Sequence, residues 1–143
     1  MANVDDVAAA VLKKTGTIDT FKFQKLVCYC QAWHLVWEST PLFSAKVEAW
    51  ANGPVVPKLY QRHLGSFSVS GWKWGDRSKL GEPERTTVAA VVKFYGERSG
   101  QELAELTHRE RPWKEARAGL PAGTRGNAVI TLEAMSEYYG SLL

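Results

Sequence analysis

Cysteine is scarce in this sequence: Cys28 and Cys30 are the whole complement. They are two residues apart in a helical pattern and point about 200° away from each other on a helix, so they cannot bridge. That excludes a disulfide scaffold and leaves two small buried hydrophobes. Long apolar runs are also missing. The longest, near residues 26–37, is interrupted by Gln31 and His34 and is too short to span a bilayer, so no membrane partner is expected. The first residues, Met1 to Asp6, carry acids where a secretory leader needs base and then an apolar stretch, which predicts a cytoplasmic protein. Charge of one sign is not in large excess: 18 Lys and Arg stand against 15 Asp and Glu. With 45% hydrophobic residues, this excludes a disordered chain. No P-loop, GxGxxG, HExxH or GxSxG occurs, so no familiar enzyme signature is present and no cofactor is called for.

What is there is a chain of 143 residues, enough for one domain with its own core, covering 1–143. Helical spacing dominates. Residues 4–15 place Val4, Val7, Ala8, Val11 and Leu12 on one stripe, with Asn3 as cap and Gly16 as stop. Residues 21–38 follow, capped by Asp19 or Thr20. Phe23, Leu26, Val27, Cys30, His34 and Trp37 form one face, yet the other side holds Cys28, Ala32, Leu35 and Val36. A helix that is apolar almost all round is buried on most sides, which predicts a central helix. Short helices are expected over 57–64 (with Leu59, Tyr60, His63 and Leu64 inward), 82–95, 100–108, 112–119 and from Thr131 to about residue 139. Ser99 and Glu102 form a capping box, and Ile130 and Met135 a hydrophobic staple. Residues 119–127, with three glycines and Pro121, read as a mobile loop. Residues 46–51 alternate like a strand and end at the turn Asn52-Gly53-Pro54, and Phe67 to Trp74 read as a second strand with a bulge at Gly71. The expected fold is therefore mainly α (α+β): a compact helical bundle around residues 21–38 with a small antiparallel element made by those two segments.

The chemistry-bearing residues are few. Cys28, Cys30 and His34 suggest a metal site, but a structural zinc needs four ligands and the only other histidines, His63 and His108, stand alone; no metal is expected, and His34 reads as a buried neutral imidazole with a hydrogen-bond partner. His108 with Glu110 is the one conceivable acid–base pair, with no nucleophile or anion-binding loop nearby, so no catalytic residue is assigned. Residues 41–80 carry six bases against two acids, and Trp72 and Trp74 flank Lys73 within them. On a strand those two rings share a face. Core packing, a protein interface and stacking on nucleobases are the three readings, in that order, and nucleic acid is not expected as a partner. An interface there would use Arg62, Trp72, Trp74 and Arg77. Trp33 and Trp37 are assigned to the core.

One longer pattern stands out. Lys22-Phe23-Gln24-Lys25-Leu26-Val27-Cys28-Tyr29-Cys30-Gln31-Ala32-Trp33-His34-Leu35 resembles the opening signature of the Panacea domain, the SocA-like antitoxin and phage-associated GepA-like family. Pro41-Leu42-Phe43, then Glu48 to Pro57 with Tyr60, then Leu106 to Glu110 and Pro112-Trp113, follow in that family's order. The signature positions here are Lys25, Tyr29, Gln31, Trp33, His34, Trp50, Gly53, Pro54, Val55, Tyr60, Thr107, His108 and Trp113. The family often has an aromatic residue at position 28 and a small one at position 30, where this chain has cysteines. The resemblance implies an antitoxin that neutralises a protein toxin by direct binding, with a protease as a further partner for regulated turnover. It also implies that the signature builds scaffold while residues outside it choose the toxin. The other readings are an adaptor or nucleic-acid-associated phage protein without a toxin, and a His108/Glu110 enzyme.

Overall fold

A computed structural model describes all 143 residues. The first helix, α1 (Val4–Thr15), starts where the Asn3 side chain accepts the Asp5 amide and ends at Gly16, whose positive φ of 71° turns the chain. A two-residue strand, β1 (Ile18–Asp19), leads into α2 (Thr20–Glu38), with the Asp19 carboxylate capping the Lys22 amide. Helix α2 is the axis of the molecule, as its all-round apolar character predicts. It packs against α1, α4 (Glu82–Tyr95), α5 (Gly100–His108) and α7 (Leu132–Gly140), and residues 23–32 are buried without a break. Trp37 departs from its expected place: at the exposed C-terminal end of α2 it is 44% accessible and stacks on Trp33 instead of entering the core.

The remaining elements are β2 (Glu48–Trp50), β3 (Gly53–Val55), α3 (Pro57–His63), β4 (Ser68–Val69), a 3-10 turn at Arg77–Lys79, and α6 (Arg111–Ala116). Seven helices form as expected, except that α6 ends at Ala116 and residues 117–119 turn instead of continuing it, and the Ser99–Glu102 capping box forms with both bonds made. Thr131 caps α7, and Ile130 and Met135 are both buried at its start. Leu64 corrects the expectation for α3: the helix ends at His63 and Leu64 is 60% exposed.

The strands are real but pair differently. Residues 46–51 do not pair with 67–74. Instead β2 folds back on β3 as a tight antiparallel hairpin, and β4 pairs antiparallel with β1. Beyond Val69 the chain leaves the strand, so Gly71 is no bulge and Trp72 and Trp74 share no strand face. The reason is Gly75. A side chain there would lie 1.9 Å from the Asp5 carbonyl oxygen, so this loop is pressed onto the start of α1 rather than extended along a sheet.

A hydrophobic core of 29 residues runs from Val4 to Tyr139. Two buried glutamines hold loops to α2. Gln31 gives its amide N–H to the Phe43 carbonyl and accepts the Leu42 amide, both at 2.7 Å. Gln24 accepts the Val56 amide at 2.9 Å and meets His63 Nε2 at 3.0 Å. The loop after α6 is anchored rather than loose: buried Arg117 donates to the Thr124 carbonyl at 2.6 Å and lies over the Trp113 ring. No helix is long and apolar enough to cross a membrane.

Candidate functional site

The largest cavity, about 680 Å³, opens beside the N-terminal half of α2. Phe21, Gln24 and Lys25 come from α2, Trp50 and Val55 from the hairpin, Tyr60 and His63 from α3, and Arg125 from the loop after α6. The hairpin turn brings these together: Gly53 takes φ 122°, and a side chain there would fall 2.5 Å from Lys25 Cε and 3.0 Å from Thr107 Oγ1. The Trp50 and Tyr60 rings meet edge-on, with centroids 4.8 Å apart. Trp50 gives its indole N–H to Glu48 at 2.8 Å. Trp113 gives its own to the Trp50 carbonyl at 2.8 Å and stacks on His108 at 4.2 Å. Lys25, Trp50, Gly53, Val55, Tyr60, Thr107, His108 and Trp113 are thus one neighbourhood, with buried Pro54 in the middle of β3.

Lys25 stands out within it. The side chain is 1% exposed, yet no carboxylate lies within ion-pair distance; the one such pair in the molecule joins Arg62 to Asp5. Burial pulls its pKa down to about 8, against weak upward pulls from Cys28 and Asp19. His108 has an unpartnered buried Nε2, and burial followed by the Lys25 charge holds its pKa below the usual histidine value.

His108 and Glu110 do not form an acid–base pair. The Glu110 carboxylate faces the other way and accepts two phenol hydrogens, from Tyr29 at 2.7 Å and Tyr139 at 2.8 Å. Burial raises its pKa, and those two bonds offset the rise only in part. Tyr29 also stacks on Tyr95, at 4.0 Å, whose hydroxyl accepts the Trp33 indole N–H at 2.8 Å. His34 is 4% exposed and bonds Thr87 Oγ1 through Nδ1 at 2.7 Å, as its place in the apolar stripe predicts; burial lowers its pKa. Cys28 and Cys30 are buried free thiols, and burial pushes Cys28 up to about 12. His34 bonds Thr87 rather than joining them, and no three His, Cys, Asp or Glu side chains gather closely enough to hold a metal.

The Arg62, Trp72, Trp74 and Arg77 set divides by depth. Trp72 is a core residue, 6% exposed, tilted against Phe23 at 4.9 Å and donating its indole N–H to Asp5 at 2.9 Å. Arg62 clamps the same carboxylate through two N–H groups at 3.1 and 3.0 Å. Burial raises the Asp5 pKa, but these bonds and the Arg62 and Lys58 charges outweigh it and hold the carboxyl below the usual range. Trp74 is 40% exposed, edge-on to Trp72, with Arg62 and Lys73 over its ring at 5.3 and 5.1 Å; Arg77 is exposed. Near the end of α3, Leu64 and Phe67 are exposed too, and Phe21 is partly so at the cavity mouth. The Asp5 knot has no local sequence signal, because its partners are 57 and 67 positions away.

Residues 23–114 match the family model described as antitoxin SocA-like, Panacea domain. No curated protein and no solved structure matches the chain. The match takes in α2, the hairpin, α3, α4, α5 and the start of α6, which carry most of the cavity and nearly all of the buried signature. The chain therefore belongs to the SocA-like antitoxin, Panacea-domain family.

Proposed function

We propose that this chain is a cytoplasmic antitoxin that acts as one domain and neutralises a protein toxin by binding it directly. The family match over residues 23–114 carries the reading. The surface supports it. Trp74 is exposed with Arg62 and Lys73 over its ring, Leu64 and Phe67 put further large apolar groups in solvent, Arg77 is exposed, and interface anchors are enriched in Trp, Tyr and Arg. We assign the toxin contact to Trp74, Arg62 and Arg77, with Trp72, edge-on to Trp74 and bonded to the Asp5 that Arg62 clamps, as support. A protease that removes free antitoxin is the second partner this role brings.

Co-expression with the product of the adjacent reading frame tests the proposal. Growth should be restored in proportion to the amount of this protein, with a stable complex on gel filtration. Rescue at trace amounts, with no complex, would replace binding by turnover. For the contact surface, Trp74→Ala with Arg77→Glu is the informative variant. Reversing Arg62 would set a carboxylate against buried Asp5 and perturb the fold itself. The double variant should melt with the parent and bind at least about tenfold more weakly; unchanged affinity would move the contact elsewhere.

A further inference from the structure

A buried ammonium with no counter-ion is unfavourable, and such a group lining a cleft is a candidate for a functional site. Lys25 is 1% exposed, lines the largest cavity, and has no carboxylate within 4.0 Å. Glu48, the one acid in the cavity wall, is bonded to the Trp50 indole. The other cation in the lining, Arg125, belongs to the loop after α6. Walls of Phe21, Trp50 and Tyr60 rise around it, with Lys25 Nζ 5.9 Å from the Phe21 ring centroid.

We infer that this cavity binds a monocarboxylate carried on a short, flat apolar stem, with Lys25 as its counter-ion and Phe21, Trp50 and Tyr60 holding the stem. Arg125 is exposed, so Lys25 is the one buried Lys or Arg of the lining, and a single buried cation balances a single negative charge. A phosphate dianion would leave surplus charge out of water, which is costly. The volume of about 680 Å³ falls in the usual range for small-molecule sites. Gly53 belongs to the device, since any side chain there would push the ammonium off its place. The carboxylate has two natural sources, a free organic acid or a glutamate or chain terminus of a bound protein. The inference is independent of the antitoxin reading, because it concerns a cavity that exists in the free chain.

The test uses the full chain and follows Trp fluorescence and melting temperature. The probes are 3-phenylpropionate, its neutral amide, inorganic phosphate, and two short peptides that differ only in carrying Phe-Glu or Phe-Gln. Fragments of this size bind in the millimolar range. The acid should bind at least about tenfold more tightly than the amide, and phosphate should not compete. Binding of free acid identifies a small-molecule site; binding of the Phe-Glu peptide alone identifies a partner's side chain. Either result upholds the carboxylate assignment. Lys25→Met should stay folded and lose the preference for acid over amide. Equal binding of acid and amide, no binding of any carboxylate, or an acid preference that survives Lys25→Met would overturn the inference. The parent comparison needs no variant, so a misfolded Lys25→Met would not protect the idea. Loss of toxin binding with intact carboxylate binding would fault the antitoxin reading alone.

Discussion

At the scale of single residues, polar groups in this core fall into two kinds. Most are satisfied: Gln24, Gln31, His34 and Asp5 each reach named partners, so each adds stability instead of costing it. His108 Nε2 and Arg117 Nε are buried without a partner, and Lys25 is a buried cation with no carboxylate in ion-pair distance. The Lys25 pKa falls from 10.5 to about 8, and the sign of its effect follows. A group with a lowered folded pKa binds fewer protons folded than unfolded, so folding is penalised below pH 8 and the penalty fades as pH rises toward 10.5. At pH 7 the drop amounts to about 3 kcal/mol. Lys25→Met should therefore raise unfolding stability at pH 7 by up to about 3 kcal/mol, with the gain shrinking toward zero by pH 10.5. Chemical denaturation at a series of pH values measures it. A destabilised Lys25→Met at neutral pH would show that the aliphatic stem, not the charge, sets the energetics. A gain of stability in Lys25→Met would mean that Lys25 serves something other than the stability of the fold.

At the scale of elements, the sequence displays its helices clearly because helix ends are written locally. Asn3, Asp19, Ser99 and Thr131 each cap the helix that follows within three residues, and the 3.6-residue stripe does the rest. Strand partners are not written locally. Residues 48–50 read as extended in isolation, but their pairing with 53–55 depended on the Gly53 turn. Trp72 was ambiguous because its partners, Asp5 and Phe23, lie far away in the chain. The same limit hid the site. Lys25 looked like one more signature residue until the hairpin was folded onto it. Gly53 is the hinge of that arrangement, and its φ of 122° is strained for any other residue. Gly53→Ala should destabilise the protein by more than about 1 kcal/mol and shift the Trp50 fluorescence, since Lys25 Cε must move. A variant with parental stability and an unchanged spectrum would mean that the hairpin is free to relax.

At the scale of the whole molecule, all three histidines are shielded, and burial holds His34, His63 and His108 below the usual histidine value. Each is protonated more readily when unfolded. The stability each contributes is present above the unfolded pKa of 6.5 and lost as pH falls through the folded value. Glu110 works in the opposite sense. Its raised pKa gives stability fully present below its ordinary 4.5 and lost as pH rises through the folded value. In the mildly acidic range the three histidines make stability rise with pH, and this one carboxyl opposes them. The denaturation midpoint should therefore climb from mildly acidic conditions up to about pH 6.5 and then stay level until Lys25 begins to titrate near pH 8. Glu110→Gln removes the opposing group while keeping an acceptor for Tyr29 and Tyr139, so the climb should steepen in that variant. His34→Gln removes one of the three and should make it shallower. A midpoint that does not change with pH below 6.5, in parent and variants alike, would mean that water reaches the imidazoles and that the folded and unfolded chains bind protons equally.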